Sequence, residues 1–226
     1  RAQMAGAVGD DAFGAEARAN LEANGVDAAL VATVAAPTGC AFIVVDAMGE
    51  NAITVASGAN RAARQDGVPD AALAGGVTLA LQMETPWEQS AALAARARKA
   101  GGRVVWNLAP APADLDAATL RAILAATDIF IVNEHEAMDT ARALGHAAGD
   151  FLAAASALAR AGGVTCVVTA GGAGAWVAAP DGPPAHVPAA PAKVVDTTGA
   201  GAAFVGAFAA MNAEGRTPPA AARIAC

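Results

Sequence analysis

Apolar runs of strand length alternate with helix-period stretches through nearly the whole chain, and this alternation limits the folds open to it. Strand-like runs are read at residues 3–8, 30–34, 38–46, 52–56, 77–83, 103–106, 129–132, 165–169, 175–178, 186–188 and 193–195. Helical periodicity fills most of the gaps, at 13–23, 87–100, 115–126, 134–144, 151–161 and 202–211, with a last helix begun near Pro218. Parallel strands need a crossover between them, and a helix supplies it. The pattern therefore predicts an α/β chain whose parallel sheet carries helices on both faces. One region breaks the rhythm. Residues 37–60 hold two adjacent strands around a turn at 46–51, where Gly49 suits a reversal of the chain. Two readings stay open for it, an edge hairpin of the main sheet or a subdomain standing off that sheet.

A length of 226 residues suits one substantial domain better than two. Hydrophobic residues make up 55%, a figure inflated by alanine, since the longest purely apolar stretches, such as 40–45, are only strand-sized. None reaches the roughly 18 residues that a membrane span needs. No basic, apolar, small-residue leader opens the sequence, so a cytoplasmic protein without a membrane partner is expected. Cys40, Cys166 and Cys226 are odd in number and share no metal-like spacing. Cys40 and Cys166 lie in strand patterns and are expected to be buried thiols of a reducing compartment. The net charge is −7, and the short basic run at 96–99 reads as a solvated helix face, so no nucleic-acid partner is expected. Only Lys99 and Lys193 are lysines, and neither sits in a glycine-rich loop. Any phosphate chemistry here must rest on backbone dipoles and metal ions rather than on a P-loop lysine.

Residues 196–204 read D-T-T-G-A-G-A-A-F, a glycine-rich turn opening into a helix of small residues. Orphan N–H donors and the positive end of the dipole converge at such a turn, so its natural guest is an anion, above all a phosphate. Gly199 and Gly201 let the backbone approach a ligand closely. Asp196, a carboxylate beside an anion site, makes sense if it holds a cation. By itself the turn is equally a plain helix start with Thr198 or Gly199 near the cap.

Four further segments carry candidate chemistry. Residues 133–136, N-E-H-E, follow a strand end, where open α/β sheets place ligands, although acids at a helix start also suit the dipole. His135 has no second His or Cys at metal-ligand spacing and is expected to be an exposed helix residue. Residues 169–174, T-A-G-G-A-G, read as a tight hairpin turn, and a hairpin of such small residues also leaves room for a nucleotide along it. Residues 81–84, L-Q-M-E, and 107–112, N-L-A-P-A-P, each end a strand with a polar group, as a solvent-facing carboxylate and a Pro-rich connection also would.

Together these motifs resemble the ribokinase-like (PfkB) sugar kinases over essentially the whole chain. The turn at 196–204 resembles the family signature D-T-x-G-A-G-D-x-F. Residues 133–136 resemble its N-x-x-E motif, 169–174 its T-x-G-x-x-G loop, 81–84 the Q-x-E segment and 107–112 the N-P-A-P-A loop, with Leu108 in place of proline. Segments 8–14 (V-G-D-D-A-F-G), 37–46, 49–51 and 57–60 (S-G-A-N) resemble ribokinase-type members more than fructokinase, adenosine kinase or phosphofructokinase relatives.

The resemblance implies a doubly wound, mostly parallel ribokinase-like sheet over residues 1–36 and 61–226, with a small β lid at 37–60. It implies an anion hole at Gly199, Ala200 and Gly201, and a monovalent cation, usually K⁺, on Asp196 and the Thr198 carbonyl. Asn133, Thr169, Gly171 and Gly174 would contact ATP, Glu136 would hold Mg²⁺ through water, and Glu84 and Asn107 would contact the sugar. Ala202 occupies the position of the catalytic aspartate, and a methyl group cannot accept a proton. The expected activity is ATP-dependent phosphorylation of a pentose, D-ribose at its 5-hydroxyl, impaired by Ala202, in a homodimer formed through the lid. The family's first strand, its G-G-K-G-A-N sugar loop and its last helices are expected to lie outside this sequence. A non-catalytic nucleotide- or sugar-binding regulator on the same scaffold, or a related sugar or nucleoside kinase, remains open. A dehydrogenase is disfavoured, because residues 8–11 lack the G-x-G-x-x-G fingerprint.

Overall fold

The computed structural model describes residues 1–45, 51–112, 115–194 and 197–226. They divide into two compact units, Arg1–Ala72 with Glu84–Leu93, and Leu73–Met83 with Ala94–Cys226.

The first unit opens with β1 (Ala2–Gly9), α1 (Ala12–Ala23) and β2 (Val26–Val34), and β1 and β2 pair in parallel. Asp11 caps α1 by accepting the Gly14 N–H at 2.8 Å. Val8, Ala28 and Val31 form a small core with Leu21 against them. β2 begins four residues before the expected 30, because the run V-D-A-A carries a charge and two alanines and does not read as apolar. Asp27 is instead held there by Arg1 and Gln3 of the neighbouring strand end. β3 (Cys40–Val45) and β4 (Asn51–Ala56) then form an antiparallel pair joined to no other described strand. Residues 46–50 of the turn expected at 46–51 lie outside the described residues, and Asn51 already opens β4. Cys40 opens β3 half-exposed rather than buried, since this hairpin has no second layer over it among the described residues of its unit.

The remaining elements are α2 (Asp70–Leu73), β5 (Thr78–Leu81), α3 (Trp87–Lys99), β6 (Arg103–Asn107), α4 (Ala117–Ala125) and β7 (Ile129–Asn133). They continue with α5 (Glu134–Ala143), α6 (Phe151–Gly162), β8 (Thr165–Thr169), β9 (Ala175–Ala178), β10 (Ala185–Val187), α7 (Ala200–Ala213) and α8 (Pro218–Ala225). The second unit is built on a six-stranded sheet in the order β10-β9-β8-β7-β6-β5. Strands β5 to β8 are parallel, and β9 and β10 turn back antiparallel. Strands buried on both faces read as unbroken apolar runs, which is why I-F-I-V of β7 and C-V-V of β8 show no alternation.

Period 2 along each strand sorts the two faces. Val105, Ile129, Ile131, Val167, Ala175, Val177 and Val187 form one cluster with Phe204, Phe208 and Ala209 of α7 and Ala221 and Ala222 of α8. On the opposite face α6 packs against β8 and β9, and Trp106, Phe130 and Cys166 are fully buried. The unit is thus doubly wound as its alternation implies. Lys193 and Val194, expected in a strand, are not in one. Pro188 and Pro191 remove ladder donors just before them, which favours a departure from β10.

Candidate active site

The parallel strands of the second unit deliver three polar candidates to one end of one sheet face. Asn107 ends β6 and is paired with Ile131, whose side chain lies in the α7-side cluster. Asn133, two residues on, ends β7 on that same face and is paired with Thr169 at the end of β8. Thr169 in turn pairs with Ala175, another member of the α7-side cluster. Carboxyl ends of parallel strands are where open α/β sheets bind ligands. Asn107 and Thr169 are half-buried and Asn133 is exposed. Thr169 donates its hydroxyl to the Val132 carbonyl at 3.4 Å.

Helix α7 covers the same face and runs antiparallel to the strands, since Asn212 near its end accepts from the Arg103 guanidinium at the start of β6 at 2.8 Å. Its start therefore lies toward the carboxyl ends, with Phe204 its first buried residue. Gly199 is its N-cap in the left-handed region (φ 75°), which explains the glycine, because a side chain there is strained whatever space surrounds it. The Ala200 N–H donates to Thr197 O at 3.1 Å, and Ala203 N–H to Gly199 O at 2.9 Å. The N–H groups of Gly201 and Ala202 have no backbone acceptor among the described residues, as expected in a first helical turn. Residues 199–202 are all exposed, so this turn faces solvent with donors to spare. Ala202 carries only its methyl group there. Thr198 is exposed in the preceding turn, and Asp196 lies outside the described residues.

Asn133 and Glu136 form a reciprocal cap on α5. The Asn133 side-chain oxygen accepts the Glu136 N–H at 2.8 Å, and the Glu136 carboxylate accepts the Asn133 N–H at 2.8 Å. Burial pushes the Glu136 carboxyl up from its ordinary value, against the downward pull of the Asn133 hydrogen bond. One of its oxygens is thus committed to the helix, and the other is left for a ligand or water. His135 is exposed, in keeping with its expected place.

The loop after β8 is a one-turn 3-10 helix over Gly171–Ala173, closed by Ala173 N–H to Ala170 O, Gly174 N–H to Gly171 O and Ala170 N–H to Gly174 O. Gly174 (φ 92°, ψ −135°) takes a conformation open to glycine almost alone, and a Cβ there would strike the backbone of Val187 and Ala189. Gly171 and Gly172 are exposed, and their N–H groups have no backbone acceptor among the described residues. The segment is thus the tight turn of the hairpin. His186, which no sequence pattern singled out, places its ring Nε2 2.8 Å from Ala173 O. The contact joins β10 to the turn before β9, 13 residues earlier, so linear spacing carries no signal of it.

Leu108 replaces the proline of the resembled loop, and the fold uses the difference. Its N–H donates to Ile131 O at 3.0 Å and its side chain is 1% exposed. Glu84 is exposed and lies three residues beyond β5, in the first unit. Among the described residues no three His, Cys, Asp or Glu side chains gather as a metal cage. Cys166 is buried, its thiol pushed up to about 12 by burial, and it is inert toward chemistry at neutral pH.

Compared with known proteins, the whole chain, residues 1–226, matches the family described as pfkB family carbohydrate kinase. It is 34% identical to a ribokinase of Mus musculus over 209 residues, which are 89% of this chain and 62% of the mouse protein. The chain thus spans less than two thirds of that relative. A crystal structure of ribokinase from Thermotoga maritima matches with a TM-score of 0.85 at 28% identity, covering 99% of this chain and 71% of that one. A structure of Arabidopsis thaliana ribokinase complexed with ribose and ATP matches with a TM-score of 0.81 at 28% identity, covering 99% and 72%.

Proposed function

The chain belongs to the pfkB family of carbohydrate kinases, and from that premise we propose that it belongs to an ATP-dependent pentose kinase acting on D-ribose at the 5-hydroxyl. The observation that carries this reading is the gathering of Asn107, Asn133, Thr169 and the α7 N-terminus on one face and one end of the sheet. The ribokinase relatives, one of them holding ribose and ATP, support it.

In this reading the N–H groups of Gly199, Ala200 and Gly201 receive the charge that develops on the transferring phosphoryl group, and the α7 dipole adds to them. Asn133, Thr169, Gly171 and Gly174 border the nucleotide, and Gly171 and Gly172 offer it backbone donors. Asn107 and Glu84 orient the sugar hydroxyls. Phosphoryl transfer needs positioning and charge neutralisation more than covalent help, and both are what a rigid strand end and a helix start provide. Lacking a three-acid cage among the described residues, the chain suits Mg²⁺ carried by phosphates and water, with Glu136 reaching it through water. Asp196 and the Thr198 carbonyl would hold K⁺. Both ions supply positive charge that no lysine in these loops supplies.

Ala202 stands where a base must take the proton of the sugar hydroxyl, so the chain should bind better than it turns over. That exposed methyl favours a second reading, a non-catalytic binding regulator on the same scaffold. Measuring ADP release with ribose and Mg-ATP in the full-length protein separates them. Ala202→Asp should raise the rate by about 10²–10⁴-fold. Turnover already comparable with ordinary kinases before the substitution would remove the role given to position 202. Nucleotide binding with no gain after it would favour the regulator.

Residues 37–60 are proposed as the β lid, and a second copy of this chain as its cover. Phe42 (65% exposed) and Val44 (68%) lie on one face of the β3–β4 hairpin, and Ile43, Ile53 and Val55 on the other. A two-stranded hairpin with apolar groups on both faces is marginal alone in water. Light scattering should report a dimer that Phe42→Glu dissociates. The free thiols Cys40, Cys166 and Cys226 fit the cytoplasm.

A further inference from the structure

The β9–β10 hairpin does more than border the sheet. His186 is paired directly with Trp176 across the two strands, and its ring stacks on the indole with centroids 4.3 Å apart and planes 23° from parallel. Phe151 of α6 meets the same indole edge-on at 5.2 Å. The stack fixes where the imidazole can reach, and it reaches the Ala173 carbonyl at 2.8 Å. A carbonyl oxygen only accepts, so Nε2 must carry the proton and donate it.

Ala173 is the last residue of the turn Gly171–Ala173, and the next residue anchors the same end, Gly174 lying hard against the backbone of Val187 and Ala189. Fixing the Ala173 carbonyl fixes the plane of the Ala173–Gly174 peptide, whose N–H holds the Gly171 carbonyl and with it the plane that carries the Gly172 N–H. Gly171 N–H and Gly172 N–H have no backbone acceptor among the described residues. Without the imidazole only the turn's own backbone bonds would hold those donors, and Gly171 and Gly172, with no side chain and open space where a Cβ would stand, add little to restrict them.

We propose that His186 is a positioning residue for the nucleotide: it pins the Ala173 carbonyl so that the Gly171 and Gly172 N–H groups stay aimed at the phosphates. This rests on the reading of residues 169–174 as the nucleotide loop, and His186 itself does not touch the ligand. The stack on Trp176 and the hydrogen bond to Ala173 can be separated by substitution. His186→Phe keeps a ring on the indole and loses the donor. His186→Gln loses the ring and keeps an N–H donor of similar reach.

Two measurements on this chain test the proposal, calorimetric binding of Mg-ADP and amide hydrogen exchange at Ala173 and Gly174, whose N–H groups close the turn. His186→Phe should weaken Mg-ADP about 3–10-fold, the worth of one net hydrogen bond, and speed exchange at both amides. His186→Gln should restore most of the affinity and the protection. Equal Mg-ADP affinity in the unsubstituted chain and His186→Phe overturns the proposal. So does loss in both variants alike, since the ring rather than the donor would then matter. A chain that binds no Mg-ADP defeats the nucleotide reading instead, and unchanged exchange in His186→Phe defeats the pinning whether or not nucleotide binds.

Discussion

Single residues of the α7 turn separate backbone strain from ligand contact. Gly199 sits at φ 75° with nothing within 4 Å of a Cβ built on it, so any cost of Gly199→Ala comes from the backbone and not from a clash. That cost should be about 1–2 kcal/mol in a urea titration. Gly201 also has open space around it but lies inside α7 without a positive φ. Gly201→Ala should therefore stabilise the chain by about 0.5–1 kcal/mol through the unfolded state. If the anion hole is where the proposal puts it, the same methyl group obstructs the phosphoryl oxygen, and Mg-ATP affinity should fall while stability rises. A stabilised Gly201→Ala chain with unchanged nucleotide affinity would remove Gly201 from the site. Leu108→Pro probes the neighbouring loop. It orphans the buried Ile131 carbonyl, and the urea midpoint should report a loss of about 1–3 kcal/mol.

At the scale of elements, one carboxylate of the first unit ties the start of α1 to a distant segment. Asp11 accepts the Thr38 hydroxyl at 2.6 Å, the Thr38 N–H at 2.8 Å and the Gly14 N–H at 2.8 Å, so it joins the start of α1 to the segment that leads into β3. The Thr38 hydroxyl in turn accepts the Gly9 N–H at 2.9 Å. These bonds, the Thr38 hydroxyl first, hold the Asp11 carboxyl below its usual 3.8. A lowered value in the folded state means that Asp11 stabilises the fold above the unfolded value, and that this contribution is lost as pH falls through the lower, folded one. Asp11→Asn should therefore melt below the unsubstituted chain at pH 6, and the gap should close below about pH 3.8. A gap independent of pH would mean that shape rather than charge makes the tie. The clamp joins residues 27 apart, and nothing in the local pattern announces it. What the sequence does announce is local. Residues 165–169 and 175–178 are strands as read, because buried apolar runs bounded by glycine leave few alternatives. Residues 133–136 are legible as a strand end opening into a helix, and the G-A-G turn as a helix start, whereas the reciprocal cap of Asn133 and Glu136 is seen only in the structure. Cys40 is half-exposed where its apolar run predicts burial, because such a run looks the same whether or not a second layer covers it. Residues 193–194 lie outside any strand although their pattern predicts one, because periodicity does not report whether a partner strand lies beside them.

The molecule as a whole carries a net charge of −7, yet the ligand proposed for it is a polyanion. The general field of such a chain repels nucleotide, and attraction must come from short-range donors at the α7 start and the Gly171–Ala173 turn, helped by bound cations. Salt acts on the two differently. Exposed charges farther apart than about 8–10 Å are screened at physiological ionic strength, whereas a hydrogen bond at contact distance is not. Raising KCl from about 50 to 200 mM should therefore leave Mg-ADP affinity unchanged or slightly higher, since it removes more repulsion than attraction. A site built on lysine and arginine would weaken over the same range. A specific cation site adds a second signature, because it distinguishes ions of equal charge and ionic strength does not. In the full-length Ala202→Asp protein, KCl should raise the rate and LiCl at the same concentration should not, and Asp196→Asn should erase the difference. An affinity that falls steeply with KCl would point to a basic side chain as the true phosphate contact. Equal rates in the two salts would remove Asp196 from cation binding, leaving the helix start and its backbone donors to neutralise the phosphoryl group with Mg²⁺ alone.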